Sequence, residues 1–67
     1  MSHFHPAVEH VLQYFAYEHL PQHLQVVSKD FHDLATLTAN RVPESPETTI
    51  ALRKLLEAKD AAVRAAL

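Results

Sequence analysis

Ser45 to Leu67 reads SPETTIALRKLLEAKDAAVRAAL, and the phase of its apolar residues decides the kind of fold this chain can adopt. Ser45 and Pro46 have the types wanted at a helix N-cap and first helical position. At about 100° per residue, Leu52, Leu55, Leu56, Val63 and Ala66 fall on one side of that helix, with Lys59 in their middle. An ammonium placed there must find a partner or stay wet, because burying it unpaired is strongly unfavourable. A carboxylate, a watery subunit junction or an anionic ligand would serve. The plainer alternative is a stem that packs while its head reaches an edge.

The rest of this helix has two further faces. Arg53, Glu57, Asp60 and Arg64 lie within about 60° of arc, and Arg53 to Glu57 and Asp60 to Arg64 both have the i, i+4 spacing of ion pairs. Lys54, Ala58, Ala61 and Ala65 form a small-residue face that another backbone can approach closely. Two contact faces on one helix imply more neighbours than a hairpin provides, so self-association is expected.

Upstream, Pro6 can open a helix in which Val8, Val11, Leu12 and Phe15 follow the i, i+3, i+4, i+7 pattern, predicted over residues 6–19. Pro21 disfavours helical geometry at Leu20 and suits the first turn of a second helix, predicted over 21–39. Its seam reads Leu24, Val27, Phe31 and Leu34, continued by the weaker Thr38, and its polar face carries Gln22, Gln25, Lys29, Asp33 and Thr36. The stretch Asn40 to Pro46, with two prolines and a capping Ser, is a turn, and the third helix covers 46–66. No strand pattern competes. The expected fold is a single all-α domain: a short N-terminal helix, then a long antiparallel helical hairpin, assembling into a homo-oligomer.

Composition narrows the function. A 67-residue chain with no Cys has a marginal core and no disulfide to staple it, which leaves a metal or oligomerisation as the common remedies. Absence of Gly excludes phosphate loops of the Walker and dinucleotide-binding types. With no long apolar run and no signal-peptide pattern near Met1, a soluble, unexported protein without a membrane partner is expected. Six Lys plus Arg against eight Asp plus Glu give a net charge of −2, which argues against a grip on long nucleic acid. A small anion is still compatible, because Arg53, Lys54, Lys59 and Arg64 cluster in one segment. The six His would take the charge toward +4 on full protonation, so association should respond to pH where any is interfacial.

Candidate chemistry is sparse. His19 and His23 have metal-ligand spacing, but Pro21 between them should make the pair diverge. His3 and His5 sit at a terminus without a third ligand, and His10 and His32 read as solvated or interfacial. Glu57 and Asp60 are one turn apart, but their flanking Arg residues favour a salt-bridge row over acid/base work. No catalysis, metal or cofactor is expected. Among Tyr14, Phe15 and Tyr17, Phe15 reads as core. Tyr17 can offer a ring for base stacking while Lys29, Lys59 or Arg64 supplies a cation for phosphate, if the fold or a neighbouring subunit gathers them. Tyr17 as an amphipathic lid over the core is the alternative.

The segments YFAYEHLPQHLQVVSKDFHDLA (Tyr14 to Ala35) and ETTIALRKLLEAKDAAVRA (Glu47 to Ala65) resemble short helical phage proteins of the anti-CBASS cyclic-nucleotide sponge family, which share a hairpin unit with phage anti-Thoeris sponges. The most specific piece is LLEAKDAAVRAAL. The resemblance implies a compact homo-oligomer, commonly a hexamer, that sequesters cyclic di- or trinucleotide immune signals without cleaving them in the cytoplasm of the infected bacterial host. It implies Tyr17 as the stacking residue, from its Y-x-x-L setting, and Arg64 as the arginine near the family's end. Ser28 takes the place of a phosphate-binding lysine, with Lys29 adjacent; one hydroxyl there instead of an ammonium implies a different ligand preference. Arg53 and Lys59 complete the expected ligand set. The alternative is a helical oligomerisation or adaptor module with no small-molecule ligand, in which Lys59 pairs with Glu57 or Asp60 of a neighbour. A metal-dependent hydrolase built on the His and acidic residues is a third possibility.

Overall fold

A computed structural model describes residues 4–67, so His3 lies outside the described residues. These form three α-helices and no strand: α1 (Pro6–Leu12), α2 (Gln22–Arg41) and α3 (Pro46–Ala66), with a 3₁₀ turn over Gln13–Phe15 running on from α1. They pack into a body of 34 × 24 × 17 Å. No described helix is long and apolar enough to cross a membrane.

The local chemistry explains most of the boundaries. Pro6 fills the first turn of α1, and the His5 ring accepts the Ala7 N–H on Nδ1 at 3.0 Å, satisfying one of the donors a helix start leaves open. The first helical segment stops at Phe15, short of the expected His19, because Ala16 turns extended at φ −58°, ψ 139°. A turn follows in which Leu20 N–H meets the Tyr17 carbonyl at 3.0 Å. Ending there lets Phe15 enter the core, where it is fully buried. Pro21 is the N-cap of α2 rather than its first helical residue, and its carbonyl receives the Leu24 and Gln25 N–H groups. Gln25 reaches back from α2, donating its amide to the Leu20 carbonyl at 2.8 Å and the Glu18 carbonyl at 3.3 Å, and so ties the link to the helix.

α2 extends to Arg41, two residues beyond the expected 39, before Val42 turns extended and Pro43 bars a further turn. Pro46 opens α3 as expected. Ser45 holds the N-cap position, but its side chain makes no capping bond. Thr48 does the tying instead: its Oγ1 donates to the Pro43 carbonyl at 2.7 Å while its N–H bonds Ser45 O at 3.0 Å.

The core gathers Val8, Val11, Phe15, Ala35 and Leu52, flanked by partly buried Phe4, Leu12, Phe31, Ala39, Leu55 and Leu56. α3 presents the expected stripe: Leu52 is fully buried and Leu55, Leu56, Lys59, Val63 and Ala66 are partly covered. α2 is turned by about 50° from its expected phase. Its inward residues are Leu24, Ser28, Phe31 and Ala35, while Leu34 is 48% exposed. The small side chains at 28 and 35 are what allow this. A helix that turns Ala35 inward leaves room for the large Phe15 and Leu52 side chains from two other elements, and close packing then fixes the phase.

Candidate functional site

The link between the 3₁₀ turn and α2 carries Tyr17 onto the flank of α2. Its ring meets the His32 imidazole edge to face, with centroids 5.1 Å apart and planes at 67°. His32 in turn places Nδ1 3.2 Å from Asp33 Oδ1. An ionised carboxylate can only accept, so this bond requires the proton on Nδ1. The other carboxylate oxygen, Asp33 Oδ2, accepts from Lys29 Nζ at 2.7 Å across one helical turn. Tyr17, Lys29, His32 and Asp33 therefore form one continuous cluster on the surface of α2.

Its electrostatics follow from these bonds. The Asp33 hydrogen bond and charge hold the Lys29 ammonium above its ordinary value of 10.5, and the nearby Tyr17 phenol adds in the same direction. Lys29 first, then His32, holds the Asp33 carboxyl below its ordinary 3.8. Near neutrality Lys29 and Asp33 thus cancel in charge, and the cluster is cationic only to the extent that His32 is protonated.

Ser28, expected beside Lys29 at the ligand, faces the interior. It is fully buried, and its Oγ has no hydrogen-bond partner among the described residues. The rotated phase of α2 turns position 28 inward and leaves 29 outside, so this hydroxyl cannot meet a ligand arriving from solvent at a single copy. Lys59 is sheltered too: its side chain is 13% exposed, and its Nζ lies 2.9 Å from Oδ1 of the adjacent Asp60, itself 48% exposed. The expected row of ion pairs on α3 is altered accordingly. Asp60 serves Lys59 instead of Arg64, and neither Arg53 nor Arg64 is ion-paired among the described residues. Both arginines are exposed on α3.

Two hollows lie away from this cluster. One of about 130 Å³ is lined by Phe4, His5, Val8, Ala39, Asn40, Val42, Glu44 and Thr48, and one of about 570 Å³ adjoins it around Ala7, Pro46 and Thr49. None of the expected ligand residues lines either. His5 Nε2 stands 3.7 Å from Glu44 Oε2 at their rim. The smaller hollow is below the size of ordinary small-molecule sites, about 300 Å³ and up. No group of three or more His, Asp or Glu that could hold a metal ion occurs among the described residues.

His32 and Asp33 are the residues that sequence reasoning passed over as site members. The i, i+4 spacing of Lys29 and Asp33 was a usable signal for half of the cluster. The contact between Tyr17 and His32 joins residues in separate elements and has no local signature. No protein-family model matches this chain, nor does any curated protein or solved structure.

Proposed function

We propose that the chain is a non-enzymatic sponge that binds cyclic oligonucleotide signals and holds them intact, in the cytoplasm of a bacterium infected by phage. The observation that supports this reading best is a chain of contacts on one surface of α2: the Tyr17 ring packs on His32, His32 bonds Asp33, and Asp33 accepts from the Lys29 ammonium. A nucleotide offers a base to stack and a phosphate to pair, which is what such a juxtaposition can take.

A single copy does not suffice in this account. Asp33 offsets the charge of Lys29, Asp60 offsets that of Lys59, and neither of the two hollows described above is lined by a residue of the cluster. Further cations, Arg53 and Arg64 of the same or another copy, must complete the site, so binding and assembly go together, with a hexamer as the expected state. We infer also that α2 and α3 form an antiparallel hairpin. Each is about 30 Å long at 1.5 Å per residue, and helices joined across Val42 to Ser45 can share a body whose longest dimension is 34 Å only by folding back.

Thermal denaturation with cyclic di- and trinucleotides tests the reading. Ligand in large excess over its Kd should raise stability by about 3 kcal/mol or more, and Tyr17→Ala should lose the effect while keeping its helical signal. No shift with any of these compounds would overturn it. One observation favours the ligand-free adaptor instead: Val26, Leu34 and Leu37 lie exposed along the outer side of α2, as a protein-binding helix would have them. Lys59→Met separates the two. The sponge reading expects weaker ligand binding, whereas the adaptor reading expects only neutral or increased stability.

A further inference from the structure

Within the cluster on α2, Lys29 and Asp33 cancel, and an anion arriving there meets no net attraction from them. His32 is the member whose charge can change the sum. Its ring is the contact that fixes Tyr17, 5.1 Å away and edge to face, and its Nδ1 is occupied by Asp33 at 3.2 Å. With Nδ1 carrying that proton, the neutral ring keeps Nε2 as an acceptor, and protonation converts Nε2 into a donor suited to a phosphate oxygen. The side chain is 37% exposed, so solvent and ligand can reach it.

We propose that His32 positions the Tyr17 ring and switches the cluster from neutral to cationic, so that capture of a cyclic nucleotide tightens as the medium becomes more acidic. This rests on the sponge reading of the same site. The groups that act on the imidazole are Tyr17 from the link, and Asp33 directly and Lys29 through it from α2. Among the described residues, no charged side chain of α1 or α3 is hydrogen-bonded or ion-paired to it. Asp33, held below its ordinary range, and Lys29, held above its own, keep their charges across the span in which histidines titrate. The phosphodiesters of a cyclic dinucleotide also stay ionised there. A change in affinity that depends on His32 therefore reports the imidazole alone.

The experiment measures Kd for cyclic diadenylate and cyclic diguanylate between about pH 8 and about pH 5.5, for the parent chain, His32→Phe and His32→Gln. The parent should bind about tenfold more tightly at the acidic end, the scale of one charge-assisted hydrogen bond. His32→Phe keeps a ring beside Tyr17 but has no ring nitrogen to protonate, so its affinity should stay flat across this range and the tightening should be lost. His32→Gln should lose the tightening and bind more weakly throughout, because nothing aromatic then fixes Tyr17. Circular dichroism establishes that each variant is folded. A pH profile in His32→Phe as steep as the parent's overturns the proposal and leaves the sponge reading standing. Failure of the parent to bind either compound, or a cyclic trinucleotide measured alongside them, at any pH sinks the sponge reading and the proposal with it.

Discussion

α2 and α3 are nearly equal in length, 20 and 21 residues, yet they bury different kinds of side chain. α3 turns its leucines inward and keeps its one awkward cation, Lys59, alive by pairing it with the next residue along the chain. α2 turns Ser28 and Ala35 inward and leaves Val26, Leu34 and Leu37 outside. The contrast shows that hydrophobic spacing sets the phase of a helix only when its neighbours have no stronger demand. Phe15 and Leu52 fill the core from two other elements, and α2 yields its small residues to them.

The comparison breaks most visibly at Leu52. Leu52→Ala should remove about 2 to 5 kcal/mol, which is on the scale of the whole stability of so small a domain. Urea titration followed by circular dichroism would register a partly unfolded chain without denaturant. A loss under about 1 kcal/mol would mean that the core is centred elsewhere.

A pair of variants within α2 sharpens the phase. Leu24→Ala should cost about 2 to 4 kcal/mol and Leu34→Ala under about 0.5 kcal/mol in dilute solution. Equal losses at low concentration would restore the phase expected from the leucine seam. A loss at Leu34 that grows with protein concentration would show that another copy covers this face.

Ser28→Ala should be a gain, because it removes a buried hydroxyl that has no partner. About 1 kcal/mol of added stability is expected in the same titration. A loss would reveal that the hydroxyl does have a bond in solution, and position 28 would return as a candidate for ligand or subunit contact.

The smallest effect belongs to the exposed Lys29–Asp33 pair. Asp33 is held below its ordinary value, so its contribution is present above 3.8 and disappears as pH falls through the lowered value. Lys29 is held above its ordinary value, so its contribution is complete below 10.5 and disappears as pH rises through the raised one. Asp33→Asn should accordingly lower the melting midpoint slightly at neutral pH and leave it unchanged in strong acid. An undiminished difference in acid would place the effect of the substitution outside this ion pair.

Legibility in the sequence followed locality. The bounds and the apolar stripe of α3 were readable, from Pro46 at its start to Lys59 in its stripe, because helical phase is a near-neighbour property. The Ser45 capping bond and the i, i+4 ion pairs that its sequence suggested are not made among the described residues. The helix content and the turn around Pro43 were readable for the same reason. The early end of the first helical segment at Phe15, the inward Ser28 and the pairing of Tyr17 with His32 were not, since each depends on which residue of another element arrives opposite. Candidate cations could be enumerated in advance. Their compensation by Asp33 and Asp60 became visible only once side-chain positions were fixed.

That compensation is why the account requires several copies around one ligand, and native mass spectrometry with a cyclic dinucleotide addresses it most directly. The account predicts a mass that is a whole-number multiple, above one, of the 7.6 kDa chain, carrying ligand that is recovered chemically intact after denaturation. A ligand-free species of 7.6 kDa as the only form in solution would contradict it.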